Sequence, residues 1–279
     1  MTNQVARDHT ASHWLGLESS VCVVTGAAGG IGRAIASTFA DAGARLALLD
    51  RDEAGCHETA EALRASGVDA VAIACDISDA ASVNRACEQT QRKFRHADVL
   101  VNNAGLLRAG GIEDIGLDAW NAMLAVNLTG YMLCAQAFGR GMLARGAGSI
   151  VHVASVAAHH PQTWSGAYSP SKAGISMLSR QIAAEWGPRG VRSNTICPGM
   201  IRTPLSRAFY EQGDVEARRS AMTASRRIGE PRDIAEVAAF LSSHRAAYVN
   251  GAEIAVDGGF ECMLMDLVPR PGFEAPRTA

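Results

Sequence analysis

The sequence predicts one α/β domain: a doubly wound, about seven-stranded parallel sheet with helices on both faces. Two observations carry this prediction. Short apolar runs, many of them β-branched, alternate with stretches of helical periodicity through most of the 279 residues. The first run also leads through a glycine-rich turn into a helical pattern, the context that nucleotide binding requires. No linker, repeat or low-complexity segment interrupts the alternation, although length alone would allow two domains.

The first strand, Val21–Thr25, is a continuous apolar run of the kind buried on both faces of a parallel sheet. Gly26-Ala-Ala-Gly29-Gly30-Ile31-Gly32 then opens a helix over Ile31–Ala42. Glycines there permit a tight turn and close backbone approach to a pyrophosphate at the helix N-terminus. The strand Arg45–Leu49 ends at Asp50, about 20 residues after the glycines, where a carboxylate can bind ribose hydroxyls. A helix over Glu53–Ser66, a strand over Ala70–Ala74 and a helix over Ala80–Phe94 follow. The strand Val99–Asn102 runs into Asn103-Ala104-Gly105, and a long helical pattern, Leu117–Ala144, carries Asn127. Ser155 ends the strand Ser149–Ala154, and Tyr168–Trp186 reads as a helix. The strand Arg192–Ile196, a helix over Asp233–Leu241 and the strand Glu253–Val256 complete the pattern. Gly26, Asp50, Asp76, Asn103, Ser155 and Pro198 all fall at carboxyl ends of strands, where such sheets bind ligands. Residues 1–16 and 261–279 fall outside it as tails, the second with three prolines and little regular structure expected.

Tyr168 and Lys172 lie four apart, so they stack on one helical face. An ammonium beside a phenol favours the phenolate, which lowers the tyrosine pKa toward the range of a general acid/base. Such pairs also occur on ordinary solvated helices, so the assignment needs the glycine turn and Ser155 beside it. Ser155 is placed to hold the oxygen of a substrate against the phenol. His152 reads as structural, whereas His159 and His160 lie on the loop between Ser155 and Tyr168, within reach of substrate.

These motifs resemble the short-chain dehydrogenase/reductase family, and the resemblance runs from Leu17 to Phe260. Thr25, Gly26, Gly30 and Gly32 match its glycine motif, and Asn102-Asn103-Ala104-Gly105 its Asn-Asn-Ala-Gly element. Asn127, Ser155, Tyr168 and Lys172 match its catalytic tetrad; Pro198, Gly199 and Thr203 match its Pro-Gly motif. The resemblance implies a Rossmann-like catalytic domain over residues 17–260 and a nicotinamide cofactor. It implies that Lys172 binds the nicotinamide ribose, that Thr203 bonds the carboxamide and that Asn127 anchors a water leading from Lys172 to solvent. Asp76 and Ile77 would contact the adenine, with Gly29, Ile31 and Ile201 completing the cofactor site. A homotetramer or homodimer is implied as well.

Asp50 would repel a 2′-phosphate, and Gly29 stands where NADP-using relatives often carry a basic residue. Both favour NAD, while Arg51 after the strand argues for NADP. With 48% hydrophobic residues and a formal net charge of −2, the chain offers no basic patch for nucleic acid. No apolar run approaches a membrane span, and the polar residues 1–12 lack a secretory core, so a cytoplasmic location is expected. The seven cysteines are scattered without a Cys-x-x-Cys, which favours buried reduced thiols over a disulfide framework or structural metal. No metal is expected in the chemistry.

The segments expected to wall the substrate site, 106–110, 156–164 and 200–216, offer Leu107, Val156, Trp164, Met200, Leu205, Phe209 and Tyr210. This apolar set suits a hydrophobic or cyclic secondary alcohol, or its ketone, with residues 200–225 as a closing lid. Arg108, Arg202 and Arg207 lie near enough to meet a carboxylate. An NADPH-dependent reductase of 3-oxoacyl thioesters and a non-catalytic NAD-binding regulator are the alternatives.

Overall fold

In the computed structural model, which describes residues 14–211 and 213–272, seven strands form one parallel sheet. In chain order they are β1 (Val21–Thr25), β2 (Arg45–Asp50), β3 (Ala70–Ala74), β4 (Val99–Asn102), β5 (Gly148–Val153), β6 (Val191–Pro198) and β7 (Glu253–Val256). Their spatial order is β3-β2-β1-β4-β5-β6-β7, so the direction of winding reverses between β1 and β4. Period-2 geometry sends successive side chains to opposite faces. Cys22, Val24, Leu46, Leu48, Val99 and Val101 pack against α1 (Gly30–Asp41), α2 (Glu53–Ala65) and the last α-helix, Pro231–Ser242. Val21, Val23, Ala47, Leu49, Leu100 and Ile150 pack against α3 (Ala80–Phe94), the helix Gly130–Arg145 and the helix Tyr168–Trp186.

The long pattern at 117–144 is not one α-helix. It divides into α4 (Leu117–Leu124), a π-turn over Ala125–Thr129, and α5 (Gly130–Arg145). The extra residue in the π-turn rotates Asn127 inward, and such turns concentrate at functional sites. By length and composition this 29-residue run could cross a membrane, contrary to the sequence expectation. Its apolar residues instead serve the core: Tyr131, Cys134, Phe138 and Met142 are buried against the sheet.

Strand β5 ends at Val153, and Ser155 caps a 3-10 turn, Val156–Ala158, by accepting the Ala157 N–H. The helix α6 spans Tyr168–Trp186. Residues 200–225, expected as a loop, contain α7 (Pro204–Tyr210) and α8 (Val215–Ala221). Thr203 and Ser206 form a capping box with Pro204 at the first helical position, a start signal that the short segment hid. Helix α9 is Pro231–Ser242. The tail after 260 is also more regular than expected. Asp257 accepts the N–H groups of Gly259 and Glu261 and so starts a 3-10 segment, Glu261–Leu267.

All seven cysteines are free thiols; six are buried and Cys262 is exposed. Leu100 lies on the central strand with no exposed surface, so Leu100→Ala should cost about 2–5 kcal/mol in a urea denaturation. Asp79 caps α3 by accepting the N–H groups of Ala81 and Ser82, and Asp79→Ala should cost only about 1 kcal/mol in the same measurement.

Candidate active site

A cleft of about 530 Å³ opens over the carboxyl ends of the strands, at the reversal between β1 and β4. Its floor is the glycine turn. Gly26 adopts φ +69°, and a Cβ there would lie 2.8 Å from the Ala104 Cα. Gly32 does not line the cleft; it is buried, and a Cβ there would lie 2.0 Å from the Gly26 carbonyl oxygen. The N-cap of α1 is Gly29, with no side-chain cap and no acidic residue in the first turn. The free N–H groups at that end therefore face the cleft lined by Gly29, Gly30 and Ile31, an arrangement that attracts anions.

Asp50 lines the adjoining wall with Arg51. Its carboxylate accepts the Ala28 N–H at 2.9 Å and the Asp52 N–H at 3.0 Å, which fixes it at the strand end. Asp76 and Ile77 line the same wall, and the Ser78 hydroxyl and backbone N–H hold the Asp76 pKa below the usual carboxylate range. Asn103, Ala104, Gly105, Pro198, Gly199, Ile201 and Thr203 complete the predicted set along the cleft. Thr25 lies beneath it, fully buried, and its hydroxyl oxygen accepts the N–H groups of Asn103 and Ala104. Its match to the glycine motif implies a place in the cofactor site, and the structure sets it beneath that cleft as a support.

At the far end Ser155, Tyr168 and Lys172 line one wall. The Lys172 ammonium sits 5.6 Å from the Tyr168 ring centre and also 5.6 Å from that of Tyr131. It donates to the Val153 carbonyl at 2.9 Å, which also accepts the Tyr131 hydroxyl at 3.1 Å. Burial pushes the Lys172 pKa down to about 8, opposed by the nearby Cys197. The tyrosine departs from expectation. Burial raises its pKa above the ordinary phenol value, and the Ser155 hydroxyl opposes the rise by hydrogen bonding. The lysine is desolvated with the phenol, so its charge does not outweigh burial.

Asn127 stands behind this group. Its amide donates to the Leu106 carbonyl at 2.8 Å and to the Ser171 hydroxyl at 3.0 Å, and accepts the Leu106 N–H at 2.7 Å. Both amide hydrogens are thereby used, so the side chain braces the 105–107 wall and α6. His152 is buried, stacks on Tyr131 with ring centres 5.8 Å apart, and is held neutral by burial, which takes its pKa to about 3.

The predicted substrate residues scatter. Ser155 and Leu107 line the cleft; Val156 does not, and Met200 lines a separate small cavity with Ile201 and Asp257. Trp164 is 69% exposed. His159 does not line the cleft; Glu253 and Glu261 take its two ring nitrogens at 2.7 Å each. The side chains of Leu205 and Phe209 lie outside the described residues. Arg202 forms a two-pronged pair with Glu216 and also bonds Glu230, while Arg207 pairs with Glu211; both are committed within the segment 200–230. Arg202 and Arg219 stack on the buried Tyr210, which packs this segment. The apolar wall near Tyr168 comes from Leu106, Leu107 and Val126. Val126 was missed because only the π-turn brings it to the cleft.

The profile of a family described as enoyl-(acyl carrier protein) reductase matches residues 26–261. The chain is 41% identical over 244 residues to a D-threitol dehydrogenase of Mycolicibacterium smegmatis, covering 88% of this chain and 94% of the relative. It is 35% identical over 244 residues to a 2,5-dichloro-2,5-cyclohexadiene-1,4-diol dehydrogenase of Sphingobium indicum, covering 88% and 97%. A crystal structure of a gluconate 5-dehydrogenase from Burkholderia cenocepacia, in complex with NADP and tartrate, superposes with a TM-score of 0.84 at 31% identity, covering 88% of this chain and 96% of that one. With the winding reversal, the glycine turn and the Asn103 and Tyr168–Lys172 elements at one cleft, these matches show that the chain belongs to the short-chain dehydrogenase/reductase family of nicotinamide-dependent oxidoreductases.

Proposed function

We propose that the protein is an NAD-dependent dehydrogenase that interconverts a neutral secondary alcohol and its ketone in the cleft at Tyr168. The observation that carries the reading is the convergence of Ser155, Tyr168 and Lys172 on one wall, with the anion-attracting end of α1 at the other end. The residues present fit a dinucleotide: free N–H groups for the pyrophosphate, Asp50 for the ribose hydroxyls, and Lys172 beside Gly105 for the second ribose. When bound, the nicotinamide supplies the acceptor for hydride.

The protein's own part is proton transfer and orientation. Ser155 donates to the oxygen at which charge develops, Lys172 holds the Tyr168 phenolate by charge, and that phenolate takes the proton of the alcohol to become the neutral phenol. Asn127 acts through position, holding Leu106 and Ser171 in place.

NAD is favoured over NADP because the Asp50 carboxylate is fixed by two backbone donors and cannot swing away from a 2′-phosphate. Arg51 and the NADP bound by the gluconate dehydrogenase are the observations on the other side. The substrate is read as hydrophobic or cyclic from the Leu106–Leu107–Val126 wall, and the diol dehydrogenase relative acts on a ring. A small polyol is the second reading, favoured by the threitol dehydrogenase. The segment 200–225 would close over either. Assembly as a homotetramer or homodimer and a cytoplasmic location belong to the same reading.

The first test follows reduced-nicotinamide absorbance with NAD or NADP across cyclic, aliphatic, aromatic and polyol alcohols. Turnover with ring alcohols and NAD supports the reading; turnover only with NADP overturns the role of Asp50. Tyr168→Phe should lose about 10²–10⁴-fold in kcat while NAD still binds, as measured by calorimetry. Like charges at a binding site cost several kcal/mol, so Asp50→Ala should narrow NAD preference by on the order of 100-fold in kcat/KM.

Alcohol oxidation needs the Tyr168–Lys172 pair to have lost one proton, and ketone reduction needs it retained. Oxidation should therefore rise, and reduction fall, as pH passes about 8, the value to which burial brings Lys172. In Lys172→Met the rise should move above the ordinary phenol pKa of about 10. An unshifted profile would remove Lys172 from this role.

A further inference from the structure

Beside the wall that carries Ser155, among residues that do not line the cleft, lies a cluster that the proposed reaction does not use. His159, Cys197 and Glu253 each turn a donor atom to one point, all within 4.8 Å of one another. They come from three different elements: the turn after Ser155, the end of β6 and the start of β7. The Glu253 carboxylate lies 2.7 Å from His159 Nε2 and 3.2 Å from Cys197 Sγ, and the sulfur is 4.0 Å from the imidazole nitrogen. Around a tetrahedral zinc ion, with bonds of roughly 2.0–2.3 Å, such donors stand about 3.3–3.6 Å apart. The cluster brackets that spacing, and an opening of about half an ångström between His159 and Glu253 reaches it.

The surroundings complete the pattern. Metal-bound imidazoles commonly donate their other ring N–H to a carboxylate, and Glu261 Oε1 lies 2.7 Å from His159 Nδ1. Glu253 is oriented from outside by the Ser176 hydroxyl at 2.5 Å and by Arg180 at 2.6 Å on its other oxygen. With Cys197 as thiolate, the charges of Glu253, Glu261 and Cys197 are balanced by Arg180 and one dication. We propose that His159, Cys197 and Glu253 form a binding site for a thiophilic divalent cation of the zinc class, with Glu261 orienting the imidazole. A thiolate–imidazole–carboxylate set selects such an ion over magnesium or calcium, which take all-oxygen shells. On binding, the cation replaces the thiol proton of Cys197 and any proton on His159 Nε2, both released to solvent. His159 is partly exposed, so water supplies the fourth donor. The ion would tie the turn following Ser155 to β6, β7 and the segment that begins at Glu261.

The test uses full-length protein carrying Cys262→Ser, which removes the exposed thiol, titrated with Co²⁺ as a spectroscopic probe. The expected result is one tightly bound Co²⁺ per chain with thiolate-to-cobalt charge-transfer absorption in the near ultraviolet, displaced by equimolar Zn²⁺. Cys197→Ser should abolish that band, and His159→Asn should weaken binding at least 100-fold. Glu261→Gln should keep the band but weaken binding about 10–100-fold, as expected of a group that acts through the imidazole. If Cys197→Ser does not fold, His159→Asn, on a surface turn, decides alone. Absence of the band in the parent protein, or Co²⁺ affinity unchanged in His159→Asn, overturns the proposal.

Discussion

The buried hydroxyl of Thr25 is the junction on which the functional end of the molecule depends. It bonds across the point where the sheet reverses direction, donating toward the Val101 carbonyl and accepting two N–H groups from the chain that leaves β4. The Asn103 amide strengthens the same joint by donating to the carbonyls of Thr25 and Gly26. Two parallel strands cannot share a tight turn, so their ends would otherwise splay where the crossovers depart in opposite directions. The clamp fixes the gap between the glycine turn and the Ala104–Leu107 wall, and the cleft has the width of that gap.

A second constraint is the burial of Lys172. An ammonium withdrawn from water needs compensation, and here it receives one carbonyl and the faces of two aromatic rings. No carboxylate is near enough to pair with it among the described residues. The charge is therefore weakly held, which is why its pKa falls to about 8. Tyr168 shares the dry environment and is driven the opposite way. Burial thus disfavours the charged form of both groups at once.

Strands and the functional end were legible because they follow short-range rules. Each of β1, β3, β4, β7, α3 and α6 has at least one limit at a turn or cap residue: Gly26, Asp69, Asp98, Asp257, Asp79 and Gly187 respectively. The cleft wall of Gly26, Asp50, Asp76 and Asn103 was legible because its residues sit at strand ends, which topology forces together. What escaped the sequence depends on contacts between residues far apart in the chain. The π-turn at Asn127 shows no composition of its own and exists because that amide finds Leu106 and Ser171. Helices α7 and α8 are too short for periodicity to announce. His159 and Trp164 lie on a loop whose direction no local rule sets, and both turn from the cleft, one to Glu253 and Glu261, the other to solvent.

The distribution of thiols has a practical consequence for handling the protein. Burial raises the pKa values of Cys22, Cys56, Cys75, Cys87, Cys134 and Cys197, so none is a ready thiolate for oxidants or alkylating reagents. Cys262 alone is exposed, next to Glu261 on the segment that leaves the sheet. A maleimide fluorophore or spin label would therefore attach at one defined address without engineering the chain. It would report on the C-terminal segment while the wall that carries Tyr168 stays unmodified.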